Sequence, residues 1–337
     1  MPIVSPESRP RMNAEIDRDA RLSAEVWLYV DLESSAHAAM HAAIEAARRR
    51  RVQLRLIAVS DVDDNAMETP ELRAKLATIL REELRERLNE LAGFAVRALG
   101  ERMVGTTLLE GEVGWHTLVG YAGALAPGLV VAATDAAAED DPLGATCRHF
   151  ARKCSTPLWC VPARAPTRVG RVLVAVDATI ADGGTNATAR HLLTFVATLF
   201  EAGVELHVVH AWHVRPIPNV ETHFGANVTA ALIQARREEA RSAIATLVDE
   251  VLGTREVTVH CLQGDAGVVV PALAAHLEAD VVALGNTARH CLPGLLIGRT
   301  AEVLLGRLRC GVMIVKAPGF RSPVPAHHRS AHQGADH

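Results

Sequence analysis

The residues best suited to hold a charged ligand lie together in one stretch, Gly285-Asn286-Thr287-Ala288-Arg289-His290-Cys291-Leu292-Pro293-Gly294-Leu295-Leu296-Ile297-Gly298-Arg299-Thr300-Ala301-Glu302. An apolar run at 280–284 precedes it and a helical pattern follows, so the stretch reads as strand, loop and helix N-terminus. Gly285 allows close backbone approach at the strand end. Gly298, Arg299 and Thr300 open the next helix, whose free amides and dipole suit a phosphate group. Thr300 adds a hydroxyl donor, and Arg289 and Arg299 could neutralise a polyphosphate. Asp177, which ends another apolar run, could accept bonds from a ribose or a polar base edge. The same residues also admit a plainer reading, with glycines in turns, Thr300 as a helix cap and solvated arginines.

Other constellations carry less. His207, His210 and His213 are spaced by three, and His260 and Cys261 end a neighbouring run. Those are ligand types for a borderline metal, but on a strand His207 and His210 point to opposite faces, so no metal site is expected. Tail histidines 327, 328, 332 and 337 read as part of a disordered end. No Gly-x-Ser-x-Gly elbow is present, and no catalytic residue is assigned. Six cysteines are scattered without a CxxC pair, which argues against a disulfide framework or a zinc ribbon. Cys154 and Cys310 read as core thiols, whereas Cys291 lies within the loop. Arg73 to Arg87 reads as the solvated face of a helix.

The elements that position these residues recur along the chain. Glu25-Val26-Trp27-Leu28-Tyr29-Val30-Asp31 is echoed by Arg171-Val172-Leu173-Val174-Ala175-Val176-Asp177, 146 positions later. Leu109-Glu110-Gly111-Glu112-Val113-Gly114 returns as Leu262-Gln263-Gly264-Asp265-Ala266-Gly267 at an offset of 153. Leu129 to Ala133 matches Asp280 to Leu284, and Arg152-Lys153-Cys154 matches Leu308-Arg309-Cys310, so the chain is an internal duplication. In each half, Val/Ile/Leu runs without polar alternation read as strands buried on both faces, alternating with helical stretches. Strands are predicted near 25–31, 52–60, 104–109, 128–134 and 156–161, then near 170–177, 204–211, 255–262, 280–285 and 311–316. Helices are predicted near 34–50, 70–99, 113–125 and 143–153, then near 185–202, 227–252, 266–278 and 298–308. Thr69-Pro70-Glu71 has the residue types of a helix N-terminus, and Ser34 or Ser35 could cap the first helix.

Composition bounds the rest. The 337 residues are 49% hydrophobic but only 4% aromatic, so the cores must be aliphatic, and the length suits two domains. A net charge of -4 removes the electrostatic case for nucleic acid. No apolar run is long enough to span a membrane. The first 22 residues mix charges of both signs without an apolar segment, unlike a secretory signal, which makes the cytoplasm the expected location.

The stretch at 285–300 resembles the phosphate-binding signature of the universal stress protein family, Gly-x2-Gly-x9-Gly-Ser/Thr, with Gly285, Ala288 and Gly298 at the three glycine positions. It departs at Ala288, and at Arg299, which puts the threonine one place late. The strings Thr300-Ala301-Glu302, Leu308-Arg309-Cys310 and Val315-Lys316, with Arg152 to Trp159 in the first half, are similar to the tandem members of that family. The resemblance implies an α/β fold of two domains in tandem, each a five-stranded parallel sheet of order 3-2-1-4-5 flanked by helices. The two halves would pair like a dimer through their last strands, and a homodimer of the chain is an open expectation. It also implies a nucleotide site at Asp177, Ala211, Gly285, Ala288, Gly298, Arg299 and Thr300, with ATP and Mg²⁺ as the ligand if any is held.

In the first half the corresponding loop is Thr134-Asp135-Ala136-Ala137-Ala138-Glu139-Asp140-Asp141-Pro142-Leu143-Gly144-Ala145-Thr146. Its carboxylates would repel phosphate, so no ATP is expected there. Gly144 and Thr146 read as turn and cap. The division expected is a tail at 1–22, a degenerate domain at 23–162, a linker at 163–169, a second domain at 170–318 and a disordered tail at 319–337. The function this implies is a nucleotide-responsive binding and regulatory module of the stress response, acting through unidentified protein partners. The alternatives are a scaffold for an apolar or lipid-like ligand, or a nucleotide-hydrolysing enzyme of the related α-hydrolase-like group.

Overall fold

The computed structural model describes residues 25–33, 35–61, 69–111, 113–134, 143–179, 186–213, 220–286 and 298–326, with the side chains of 220–226 excepted. The first half runs β1 (Glu25–Val30), α1 (His37–Arg50), β2 (Gln53–Asp61), α2 (Pro70–Leu99), β3 (Val104–Gly111), α3 (Gly114–Leu125), β4 (Leu129–Thr134), α4 (Gly144–Lys153) and β5 (Leu158–Pro162). The second half repeats it as β6 (Arg171–Ala175), α5 (Ala187–Leu199), β7 (Glu205–Trp212), α6 (Val220–Leu252), β8 (Thr258–Gln263), α7 (Ala266–His276), β9 (Val281–Asn286), α8 (Arg299–Arg307) and β10 (Gly311–Lys316). All ten strands fall where the apolar runs place them. Most boundaries differ from the expectation by one to three residues, whereas α6 begins seven residues early, at Val220.

The strands form one sheet in the order β3-β2-β1-β4-β5-β10-β9-β6-β7-β8, which is 3-2-1-4-5 in each half. Pairing is parallel within each half and antiparallel where β5 meets β10, with Cys160, Trp159 and Leu158 opposite Val312, Met313 and Ile314. Helices α1, α2, α5 and α6 cover one face of the sheet, and α3, α4, α7 and α8 cover the other. This two-sided cover explains why strands such as Leu129–Thr134 are buried along their whole length and show no alternation.

Local chemistry follows sequence in part. The Thr69 hydroxyl accepts from the Leu72 N–H at 3.4 Å and Pro70 is the first residue of α2. The first helix is different: its cap is Ala36, with no side-chain cap, so Ser35 does not serve, and Ser34 lies outside the described residues. Likewise α4 is capped by Leu143, and Thr146 sits inside the helix rather than capping it, while Gly144 has the positive φ of 71° expected of a turn. Solvation of the Arg73–Arg87 face holds, with Arg81 paired to Glu110 at 3.1 Å and Arg87 to Glu90 at 2.8 Å.

The C-terminal stretch corrects another expectation. Disorder was expected over 319–337, yet Val324 is 7% exposed and packs in the cluster that includes α3. Ala326 reaches Gly123 of α3, where an added Cβ would lie 3.8 Å from the alanine methyl. Residues 317–326 therefore cross from β10 onto the first half. An apolar side chain with a place in a core outweighs the Pro-rich composition of its segment. Residues 327–337, with the tail histidines, lie outside the described residues, as does the segment 1–24.

The seam is built from large side chains. Trp159 of β5 is 4% exposed and meets Phe200 edge to face at 5.6 Å. The Arg50 guanidinium lies 5.3 Å from the centre of the Phe195 ring, and Arg49 pairs with Glu201 at 3.5 Å. Met313 and Val315 of β10 are fully buried. Trp159→Ala is expected to lower unfolding free energy by about 3–5 kcal/mol, the usual cost of emptying a buried aromatic site, read from the urea midpoint. A shift equivalent to under about 1 kcal/mol would mean that the seam does not hold the halves together.

Candidate functional site

The carboxyl ends of β6, β7 and β9 open onto a cleft of about 970 Å³, at the point where the strand order of the second half reverses. Asp177 follows β6 and is exposed, and its Oδ1 accepts the Thr179 N–H at 3.0 Å. Ala211 lies near the end of β7, and Gly285 near the end of β9. Gly298 is the N-cap of α8, and Arg299 and Thr300 are its first two residues, both exposed. Six of the seven residues singled out in the sequence thus line one cleft. The seventh, Ala288, lies outside the described residues, as do Arg289 and Cys291.

The two glycines serve different ends. A Cβ at Gly285 would stand 3.0 Å from the Thr188 methyl, so the glycine allows β9 to press against α5. Gly298 has φ −64° and ψ 148°, an extended cap conformation open to any residue. Thr300 is the second residue of α8 and does not cap it; no side-chain cap bond is made. Among the described residues, then, no side chain caps the first turn of α8, the arrangement a phosphate site requires.

Several residues that frame the site have no signature in sequence. Asn286, 1% exposed, accepts the Gly298 N–H on its side-chain oxygen at 3.2 Å and so ties the strand end to the helix start twelve residues on. Its place directly after Gly285 at a strand end is the only hint the sequence carries. His210 is buried below the cleft, and its Nδ1 lies 3.3 Å from the Ala178 N–H and 3.2 Å from the Val176 carbonyl, fixing the exit of β6. Arg236 and Glu239, paired at 2.7 Å, bring charge from α6 to the rim.

The first half has the same frame with a larger side chain at its floor. Strand registers put Tyr29 where the second half has Ala175, and Asp61 where it has His213. Tyr29 meets Phe150 edge to face at 5.7 Å. Burial, with Asp31, Asp61 and Glu33 adding to it, pushes its phenol far above the ordinary range. Asp61 Oδ2 accepts the Gly114 N–H at 2.9 Å and so occupies the start of α3. The acidic loop 135–142 lies outside the described residues.

Comparison with known proteins bears on this frame. Residues 169–316 match the model of the universal stress protein family. The second half of the chain is a universal stress protein domain. Universal stress protein E of Escherichia coli K12 is 30% identical over 178 residues, which cover 52% of this chain and 56% of that protein; that of Salmonella typhi is 31% identical over the same span. The chain thus matches little more than half the length of these relatives. A protein of unknown function from Pseudomonas aeruginosa PAO1 superposes with a TM-score of 0.60 at 23% identity, covering 88% of this chain and 93% of its own. A universal stress protein from Archaeoglobus fulgidus gives 0.59 at 15% identity, covering 88% and 99%. These likenesses establish the fold along both halves.

The histidine and cysteine candidates resolve into packing. His207 and His210 are both buried, on opposite faces of β7. His207 Nδ1 lies 2.9 Å from His260 Nε2, and His207 Nε2 lies 2.8 Å from Glu205, which Arg171 holds in turn. No group of three or more His, Cys, Asp and Glu side chains gathers as a metal site among the described residues. Cys147, Cys154 and Cys160 are buried, and burial pushes the Cys310 thiol up to about 11. Among the described residues, no helix is long and apolar enough to cross a membrane.

Burial, with His207 and His276 nearby, lowers the pKa of His260. A histidine whose folded pKa lies below its unfolded value contributes stability above about pH 6.5 and loses it as pH falls. Stability from urea unfolding should therefore fall as pH drops below about 6.5, and His260→Gln should flatten that fall. An unchanged slope in the variant would place the acid sensitivity elsewhere.

Proposed function

We propose that this chain is a nucleotide-responsive binding and regulatory protein of the stress response, whose second half holds ATP while the first half holds none. The observation that carries the reading is the difference between the two halves. One frame occurs twice, with the small Ala175 at the floor of an open cleft in the second half and the Tyr29 ring at the same place in the first. The open cleft joins a carboxylate at Asp177, a close-packed strand end at Gly285 and the free amides of α8 at Arg299 and Thr300. That set fits ribose or base at one end and phosphates at the other. Mg²⁺ would enter with the phosphates and supply charge neutralisation there, with Arg299 at the same helix start. The role is one of binding, with output through protein partners in the cytoplasm.

An apolar or lipid-like ligand is the second reading, favoured by the aliphatic walls that Leu192, Leu232, Val270 and Leu284 give the cleft. Native mass spectrometry of the purified chain separates the two by the mass of whatever is retained.

Titration of Mg·ATP into wild type should give saturable binding, and the Asp177→Ala, Gly298→Val variant should bind at least about tenfold more weakly, since hydrogen bonds to charged groups are worth roughly 1.5–3 kcal/mol. No heat with wild type would rule out the nucleotide reading. Ala175→Tyr, which copies the Tyr29 of the first half, is expected to abolish binding while the circular dichroism spectrum stays native. Retained affinity in that variant would show that the ligand sits elsewhere.

A further inference from the structure

We propose that the first half acts on the ligand of the second through Arg152, a positioning residue that cancels the charge of Glu302 beside the ligand's phosphates. The inference rests on the nucleotide reading above. Because β5 and β10 run antiparallel, the C-terminal end of α4 in the first half lies against the N-terminal end of α8 in the second. Arg152, in the last turn of α4, donates through Nε to Glu302 Oε2 at 3.3 Å, and a terminal guanidinium nitrogen donates to Glu302 Oε1. The contact is a two-point, charge-assisted pair.

Glu302 sits in the first turn of α8, its N–H bonded to the Gly298 carbonyl at 3.0 Å. A carboxylate there suits the helix dipole but opposes any anion that binds the same amides. With Arg152 in place, the turn presents its amides without that net negative charge. The neighbouring residue Ala151 accepts from Lys316, at the end of β10, and Lys316 lies beside Asn286 of β9, whose side chain holds Gly298. Thus one helix end of the first half braces both sides of the loop that opens α8.

The pair is one-sided. Aligning Cys154 with Cys310 puts Leu308 at the place of Arg152 and Thr146 at the place of Glu302, so the corresponding strand ends of the first half receive no such pair. The side chains of Arg152 and Glu302 are 37% and 29% exposed, and pairs of that kind add little to stability. Its effect should therefore appear in ligand affinity rather than in unfolding.

The test is titration of ATP, ADP and adenosine, with Mg²⁺, into the full chain and its Arg152→Ala, Arg152→Gln, Glu302→Gln and Arg152→Ala/Glu302→Gln variants. Arg152→Ala should weaken ATP about three- to tenfold at low salt, ADP less, and adenosine not at all, and the loss should shrink as salt rises. Glu302→Gln in the Arg152→Ala background should restore ATP affinity, because the carboxylate that needed cancelling is gone. Arg152→Gln, which keeps a hydrogen-bond donor without charge, should repeat the ATP loss and replaces the alanine variant if that one does not fold. Equal loss for ATP and adenosine, or no rescue by Glu302→Gln, overturns the proposal in favour of a merely structural pair. Unchanged ATP affinity in Arg152→Ala overturns it while leaving the nucleotide reading intact. Failure of wild type to bind ATP removes both.

Discussion

The antiparallel pairing of β5 with β10 is the constraint on which the rest of the molecule depends. Two five-stranded sheets of this order each end in an edge whose backbone groups need partners, and joining those edges satisfies both at once. The pairing buries Trp159 and Met313 and brings α1 of the first half against α5 of the second. Arg49, Arg50, Phe195, Phe200 and Glu201 mediate that contact. It also sets which helix ends meet across the seam. The contact of α4 with α8 follows from strand direction alone, before any side chain is considered.

Within that frame, competence for a ligand is a matter of a few side chains at strand ends. The repeated backbone places the carboxyl ends of the strands in the same way in both halves. Ala175 stands where the first half carries the Tyr29 ring, which packs on Phe150.

The architecture was legible because its signals are local. Unbroken Val/Ile/Leu runs mark strands covered on both faces, and four short echoes in constant order reveal the duplication. That Asp177, Ala211, Gly285, Gly298, Arg299 and Thr300 meet at one cleft was readable because the glycine spacing lies in one segment and its neighbours end adjacent strands. What escaped depends on contacts across long separations. Ser35 and Thr146 have the composition of caps, but the helices begin at His37 and Gly144, so neither side chain stands at the first turn's open amides. Arg152 and Glu302 are 150 positions apart, and neither belongs to a motif. Val324 sits in a segment whose prolines suggest solvent, and only the groove beside α3 explains its burial.

Antiparallel union at the seam has a directional consequence. Within each half every strand runs the same way, so the carboxyl edges of the two halves point to opposite ends of the molecule. The cleft beside Asp177 and the corresponding strand ends of the first half therefore face away from each other. A macromolecule covering the end where Tyr29 and Asp61 lie would leave the entrance beside Asp177 uncovered, and two occupants could ride the same chain without meeting.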